Sequence, residues 1–340
     1  MTHSLSDFDY DLPADRIAQQ PLPDRSASRL LVLDRGTGSV THRRFADIAD
    51  LIPAGDALVI NTSRVIPARL HGKRESGNAA EVLLVRELPD GTWLAMGHPG
   101  GKLKPGRQVR FGDGDSVVEV VEVLGGGIRK VRFVGALDAR ATLAKYGEVP
   151  LPPYIRRPPT AADRERYQTV YATHDGSVAA PTAGLHFTPA LLERLRAKQV
   201  AVASLDLHVG PGTFKPVEVD DLAAHPMHPE AYEIPDETGR IVNAGVGVWS
   251  VGTTVVRALE SASDESGRVR AGLGETNLFI RPPYTFKVVD RLVTNFHLPR
   301  STLLMLVCAF GGYEQVMQAY REAVREGYRF YSYGDAMAII

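Results

Sequence analysis

Ten histidines are spread over the 340 residues. Five of them, His186, His208, His225, His228 and His297, fall within or beside clusters of Gly, Thr, Asn and Pro. A neutral imidazole can take or give a proton near neutral pH, so such clusters are where acid–base chemistry belongs. The richest is 178–188, which reads Val-Ala-Ala-Pro-Thr-Ala-Gly-Leu-His-Phe-Thr. Pro181, Gly184 and Pro189 interrupt regular structure, placing His186 and the hydroxyls of Thr182 and Thr188 on a turn. Thr188 followed by Pro189 is a helix start, a hydroxyl cap and then proline at the first helical position. The helix it opens, to about residue 198, carries Leu191, Leu192 and Leu195 at core-facing spacing. Backbone amides at such a start favour an anion or an electron-rich ligand. A capped helix with a structural histidine explains this one segment equally well.

One arrangement recurs downstream, an apolar run ending in small polar residues. Residues 201–209 lead into His208-Val209-Gly210-Pro211-Gly212-Thr213. Residues 246–251 lead into Gly252-Thr253-Thr254, with Arg257 one turn on. Leu292 and Val293 lead into Thr294-Asn295-Phe296-His297. In α/β folds ligands bind beyond the carboxyl ends of the strands, and small residues there let a ligand approach the backbone. Three such ends together with His186 predict a convergent pocket rich in uncharged donors.

Other chemistries fit less well. His225-Pro226-Met227-His228 with Glu230 offers imidazole and carboxylate donors, but Pro226 spoils a helical presentation. The spacing matches no standard zinc signature, and no metal is expected. A Walker loop, a Gly-x-Gly-x-x-Gly turn and a nucleophile elbow are all missing from the sequence. Gly125-Gly126-Gly127 lies between two strand-like runs and reads as a hairpin turn. Asn61-Thr62-Ser63-Arg64, with Pro67 and Arg69, suits a phosphate or carboxylate, or equally a linker between domains. In the proline-stiffened segment 147–155, Glu148 is a candidate base and Tyr154 could stack on a nucleobase. The aromatic residues of 328–335 read as C-terminal core packing.

The elements that must position these groups fall into three zones. Residues 1–67 contain two apolar strand-like runs, 29–34 and 57–61. Residues 68–136 hold short runs punctuated by glycine, the pattern of a small all-β unit. Residues 137–340 alternate helical and strand-like segments, including helices at 301–310 and 313–326. The expectation is an α/β domain, 1–67 with 137–340, interrupted by an inserted all-β domain at 68–136. Net charge is −1, yet residues 64–132 carry twelve Lys and Arg against eight Asp and Glu, a modest local excess. Cys308 is the only cysteine and lies in an apolar run, so it can form no intrachain disulfide. The longest apolar run, 303–310, is far below the roughly 18 residues of a membrane span, and the first residues lack a signal-peptide pattern. A cytoplasmic protein without a membrane partner is expected. Nothing in the sequence fixes the oligomeric state, for which a monomer is favoured.

Taken in order, the clusters resemble the S-adenosylmethionine:tRNA ribosyltransferase-isomerase family of queuosine biosynthesis. The matching pieces include Phe8 to Pro13, Ser28 to Val32, Arg64 to Leu70, 147–155, Tyr167 to Ala172, 177–188, 208–214, 225–230, Gly252-Thr253-Thr254 with Arg257, 294–306 and Ser332 to Met337. They run nearly end to end. The resemblance implies a barrel-like α/β domain with a smaller inserted all-β domain. It implies transfer and isomerisation of the ribosyl part of S-adenosylmethionine onto a 7-aminomethyl-7-deazaguanine at the wobble position of a tRNA with a GUN-type anticodon. Epoxyqueuosine, adenine and methionine would result. S-adenosylmethionine is then a substrate, and no cofactor is needed.

Carried onto this sequence, that chemistry would put His186 and His208 beside the reacting ribose. His228 and His297 would recognise adenine or the base, and Arg257 and Asn295 would hold the methionine carboxylate or ribose hydroxyls. Thr182, Thr188, Gly210, Gly212, Thr213, Glu230, Gly252, Thr253 and Thr254 would complete the substrate site. Arg64, Arg69, Arg156 and Arg157 would meet tRNA phosphates. Two departures from the family pattern bear on local geometry: Pro282-Pro283-Tyr284 stands where Pro-Gly-Tyr is usual, and the helix before Val246 is reduced to about 238–243. A metal-dependent hydrolase would predict sensitivity to chelators. A non-catalytic RNA-binding module would predict tRNA binding without dependence on S-adenosylmethionine.

Overall fold

The computed structural model describes residues 3–210, 222, 225, 227 and 229–340. Four consecutive residues of strand β1 (Arg29–Leu33) are buried. Leu30 and Val32 enter one core and Leu31 and Leu33 another, because alternate strand side chains point to opposite faces. A strand covered on both faces reads as an unbroken apolar run, which is how it stood out in the sequence. Strand β2 (Val40–Arg44) pairs antiparallel with β1 and is largely exposed, as an edge should be. After the short helix α1 (Ile48–Leu51) comes β3 (Ala57–Asn61), buried throughout, and then β4 (Ser63–Val65).

The chain now leaves the main sheet to form a closed barrel of β5 (Arg69–Arg74), β6 (Ala79–Glu87), β7 (Trp93–His98), β8 (Gln108–Phe111), β9 (Ser116–Gly125) and β10 (Ile128–Phe133). Every pairing in it is antiparallel. Closure removes the open edges that short strands would otherwise expose. Inside, Val82, Leu84, Ala95, Val109, Phe111, Val118 and Val131 form a separate core. Gly125, Gly126 and Gly127, all at positive φ, make the β9–β10 turn that the triple glycine foretold. Helix α2 (Ala139–Tyr146) returns the chain, with Leu143 packed into the barrel core.

The remainder alternates as expected: α3 (Asp163–Arg166), β11 (His174–Ser177), α4 (Pro189–Ala197), β12 (Ala201–Leu207), β13 (Glu230–Ile234), α5 (Asp236–Val242), β14 (Val248–Val251), α6 (Thr253–Ala262), β15 (Gly272–Thr276), β16 (Arg291–Asn295), α7 (Thr302–Gly311), α8 (Tyr313–Arg325) and β17 (Ala336–Ile339). The nine-stranded sheet runs β15-β13-β12-β3-β14-β16-β17-β1-β2. Its middle pairs, β12 with β3, β3 with β14 and β14 with β16, are parallel. Residues from α6, α7 and α8 pack on one face and residues from α1 and α4 on the other. The result is an α/β layer structure with an inserted all-β barrel. Strands β13, β15 and β17 escape a reading by hydrophobic pattern. The first two are short, half-exposed and antiparallel at the sheet's end, and β17 follows an aromatic turn with no punctuating apolar period. Among the described residues no helix is long and apolar enough to cross a membrane.

Candidate active site

Adjacent parallel strands bring their carboxyl ends to one edge of the sheet, and that edge is where the polar clusters meet. Beyond β14, Gly252 takes φ +93° and donates its N–H to the Val293 carbonyl at 2.8 Å, turning the chain sharply into α6. Beyond β16 come Asn295 and His297. Segment 178–183 is held alongside by the N–H groups of Val178 and Ala179, which donate to Val209. Tyr331 and Ser332 arrive just before β17, the antiparallel neighbour of β16. These pieces form a cleft lined by Thr182, Gly252, Thr253, Thr254, Asn295 and His297, with Tyr154, Tyr331 and Ser332. Six of the expected substrate-site residues are thus brought together, along with Tyr154. The N-terminus of α6 opens into the same cleft, presenting the partial positive charge that suits a carboxylate.

Among the described residues, His297 is the histidine that lines this cleft. Its Nε2 lies 2.7 Å from Thr294 Oγ1, and that hydroxyl lies 3.2 Å from the Asn295 carbonyl. With the hydroxyl donating to the carbonyl, Nε2–H donates to Oγ1 and Nδ1 keeps a free lone pair. Burial pushes the imidazole pKa down to about 3, so the ring is neutral at physiological pH.

His186 occupies a neighbouring recess with Arg25, Ser28 and Ser332. Its Nδ1 is 2.7 Å from Ser28 Oγ, its ring stacks on Phe45, and burial lowers its pKa to about 4, with the Asn295 side chain acting in the opposite direction. Nε2 is buried without a partner. The turn that carries it is a short 3-10 segment, Thr182–His186, and Thr188 caps α4 by accepting from Leu191 N–H at 3.1 Å. Thr188 is therefore engaged locally, away from the cleft.

His208 is not in this cleft: Val209 lines it, and His208, the preceding residue, sits against Gly176, where a Cβ would come within 2.5 Å of the imidazole Cε1. Its pKa is also lowered, chiefly by burial. Arg257 and Glu230 form a buried ion pair, while Glu230 Oε1 accepts from Gly210 N–H at 3.0 Å and Arg257 Nε donates to the Leu278 carbonyl. Arg257, Glu230 and Gly210 thus engage one another at the cleft's flank. Gly212, Thr213 and His228 lie outside the described residues. Of the arginines, Arg157 makes a bidentate pair with Asp163, at 2.7 and 2.8 Å, and Arg69 bonds Glu81 and the Leu151 carbonyl. Arg64 is half exposed and donates to the Ala172 carbonyl, and the Arg156 side chain is exposed. Among the described residues, no group of three or more His, Cys, Asp or Glu is placed to share a metal ion.

Tyr331 is buried in the hydrophobic core, as expected for 328–335, and it lines the cleft as well. It holds φ +71°, a conformation that costs a bulky L residue about 1–3 kcal/mol. Three hydrogen bonds fix it there: its N–H donates to the Phe296 carbonyl, while its own carbonyl accepts from Asn295 Nδ2 and from Gly334 N–H. The ring stacks on Tyr154 with centroids 4.3 Å apart, and Tyr154 and Ser332 share a hydroxyl contact of 2.7 Å. The Tyr331 hydroxyl, Thr254 Oγ1 and Asn295 Oδ1 are each buried without a partner, and all three residues line the cleft. Buried polar atoms are rarely left unpaired, so three around one cleft single it out as the candidate ligand site. The sequence signal was there in hydroxyl-bearing aromatics on a turn, Phe330-Tyr331-Ser332-Tyr333-Gly334, but apolar packing explains the same letters.

Residues 5–339 match the family model described as queuosine biosynthesis protein. The chain belongs to that family. Among its relatives is an S-adenosylmethionine:tRNA ribosyltransferase-isomerase from Thermus thermophilus, 53% identical, the match covering 99% of each chain. Another of the same name, from Heliobacterium modesticaldum, is 50% identical over 98% of each. A crystal structure of S-adenosylmethionine tRNA ribosyltransferase from Thermotoga maritima aligns with a TM-score of 0.57 at 40% identity, covering 98% of this chain and 100% of the other. The family match takes in barrel, sheet and cleft together.

Proposed function

We propose that the protein is an S-adenosylmethionine:tRNA ribosyltransferase-isomerase, acting in the cytoplasm on the deazaguanine base of a tRNA with a GUN-type anticodon. The observation that carries this reading is the cleft itself, where the strand-end motifs converge on a neutral histidine and on three unpartnered buried polar atoms. Full-length relatives of that name support it.

The reaction asks for a proton acceptor, a proton donor and tight positioning. A sulfonium acidifies the adjoining C5′–H of the ribose, and the base that takes this proton must be uncharged beforehand. His297 Nδ1, with its ring oriented by Thr294, is placed for that task, and charge brought in by the bound substrate would have to raise its basicity above that of the free protein. Adenine leaves carrying a proton, the aminomethyl nitrogen bonds to the ribosyl carbon skeleton, methionine departs, and one proton is released overall. His186 backs the cleft with Ser28 on Nδ1, and the Ser28 hydroxyl also lies 3.3 Å from the Arg25 carbonyl. That hydroxyl can turn either way, so the ring can present Nε2 as donor or acceptor. His208 would act from the flank.

The methionyl carboxylate fits the amide-rich start of α6 at Gly252, Thr253 and Thr254, and Asn295 Oδ1 suits a ribose hydroxyl. Tyr154 and Tyr331 offer an aromatic wall for a planar base. Arg257 and Glu230 support the site by fixing Gly210. Arg64 and Arg156 are exposed enough to meet phosphate.

The test is incubation with S-adenosylmethionine and tRNA bearing the aminomethyl-deazaguanine. Free adenine and methionine, with an epoxy-cyclopentanediol mass on the nucleoside, are the expected products. Saturable tRNA binding without turnover would contradict the enzyme reading.

A further inference from the structure

The inserted barrel carries a second concave surface, open to solvent and lined by His71, Lys73, Glu81, His98 and Arg110. The strand register explains why these side chains share it. Lys73 on β5 lies directly opposite Arg110 on β8, and Glu81 on β6 lies between His71 on β5 and His98 on β7. Like charges directly opposite on neighbouring strands repel, so such a pairing calls for a counter-charge. Three other barrel cations have such a partner: Arg107 pairs with Glu75, Lys130 with Asp90 and Arg132 with Glu119. Lys73 and Arg110 are exposed, and neither side chain has an ion-pair or hydrogen-bond partner among the described residues. The groove's own carboxylate, Glu81, is already held 3.2 Å from Arg69 Nε. Gly72, between His71 and Lys73, faces the barrel interior, where an added Cβ would come within 2.5 Å of the Arg110 carbonyl and 2.7 Å of the buried Phe111 ring.

We infer that this groove binds phosphodiester groups of the tRNA, with Lys73 and Arg110 sharing a phosphate and His71 and His98 donating at its margin. The inference rests on the proposed tRNA substrate. Its link to the cleft is segment 148–154. Glu148 stands 3.6 Å from His71 at one end, and Tyr154 lines the cleft at the other. Six residue steps reach at most about 20 Å, so one folded RNA element could touch both. Arg69 and Arg157, where phosphate contacts were expected from the sequence, pair with Glu81 and Asp163, whereas Lys73 and Arg110 are open.

The test measures tRNA affinity against salt concentration for the full-length protein and for Lys73→Gln with Arg110→Gln, and repeats it with Lys73→Ala and Arg110→Ala. Loss of two phosphate contacts should flatten the slope of log affinity against log salt by roughly 2 units and weaken binding about tenfold or more at low salt. Melting temperature and the KM for S-adenosylmethionine should hold. A well-folded double variant with an unchanged slope overturns the groove assignment while leaving the enzyme reading intact. A wild-type protein that neither binds nor modifies tRNA overturns both.

Discussion

The Asn295 side-chain amide donates through Nδ2 to the main-chain carbonyl of Tyr331 at 2.9 Å, tying the end of β16 to the strained turn before β17. The other end of the amide, Oδ1, is buried in the same wall, and the side chain also acts on His186. Asn295 therefore supports the wall of the cleft, whereas the Tyr331 side-chain hydroxyl does not, and mutation separates the two.

Tyr331→Phe removes a buried hydroxyl that has no partner in the free protein. Stability without ligand should hold or rise slightly, since an unsatisfied polar atom is lost. The KM for S-adenosylmethionine or tRNA should rise about three- to tenfold, the worth of one hydrogen bond. Asn295→Ala should instead lower both stability, by about 1–2 kcal/mol, and turnover. Thermal melts paired with steady-state kinetics distinguish these outcomes, and equal loss of stability in both variants would contradict them.

Thr294→Val keeps the shape of its site but unhooks His297 Nε2. If His297 is the proton acceptor, kcat should drop about ten- to a hundredfold with KM nearly unchanged, and the pH dependence of kcat should shift. A purely structural His297 would give lower stability and an unaltered pH profile.

His186 and His297 are both held neutral, with pKa values of about 4 and about 3 against an ordinary 6.5. Between those values the unfolded chain binds more protons than the folded one, so stability rises with pH across that window and is lost as pH falls below about 6.5. His186 alone should contribute a loss of roughly 3 kcal/mol by pH 4. His186→Asn should flatten the decline in denaturation midpoint between pH 6.5 and 4, and an unchanged slope would count against the burial of a neutral ring.

Breaking the buried Arg257–Glu230 pair by Arg257→Ala leaves Glu230 charged beneath the surface. The expected cost is about 3–5 kcal/mol, read from chemical denaturation. Arg257→Met combined with Glu230→Leu should recover much of that stability without restoring activity, because Gly210 loses its carboxylate anchor. Recovery of turnover along with stability would remove the pair from the positioning scheme.

Sequence patterns revealed what depends on local physics. The β1, β3 and β14 runs are apolar because both faces are covered, the Thr188–Pro189 and Ser301 helix starts cap as their side chains dictate, and the barrel strands are spaced by their turn glycines. Gly252, Thr253, Thr254, Asn295 and His297 could be placed at one cleft because strand ends obey a general rule. What stayed hidden is long-range. Whether His208 or Val209 faces the cleft is a one-residue question of strand alternation that composition cannot settle. Arg69 and Arg157 look like free cations until the fold supplies Glu81 and Asp163. Tyr331 is core as its sequence context predicts, and only its backbone conformation and unpaired hydroxyl show that it lines the cleft too.

The most direct measurement follows the label. The protein is incubated with substrate tRNA and S-adenosylmethionine carrying heavy carbon either throughout the ribose or only in the methyl group, and the modified nucleoside is weighed. Ribosyl transfer predicts that the whole ribose label enters the nucleoside, that the methyl label leaves with methionine, and that adenine appears in equal amount. Methyl label in the nucleoside, or no label from either source, would contradict it.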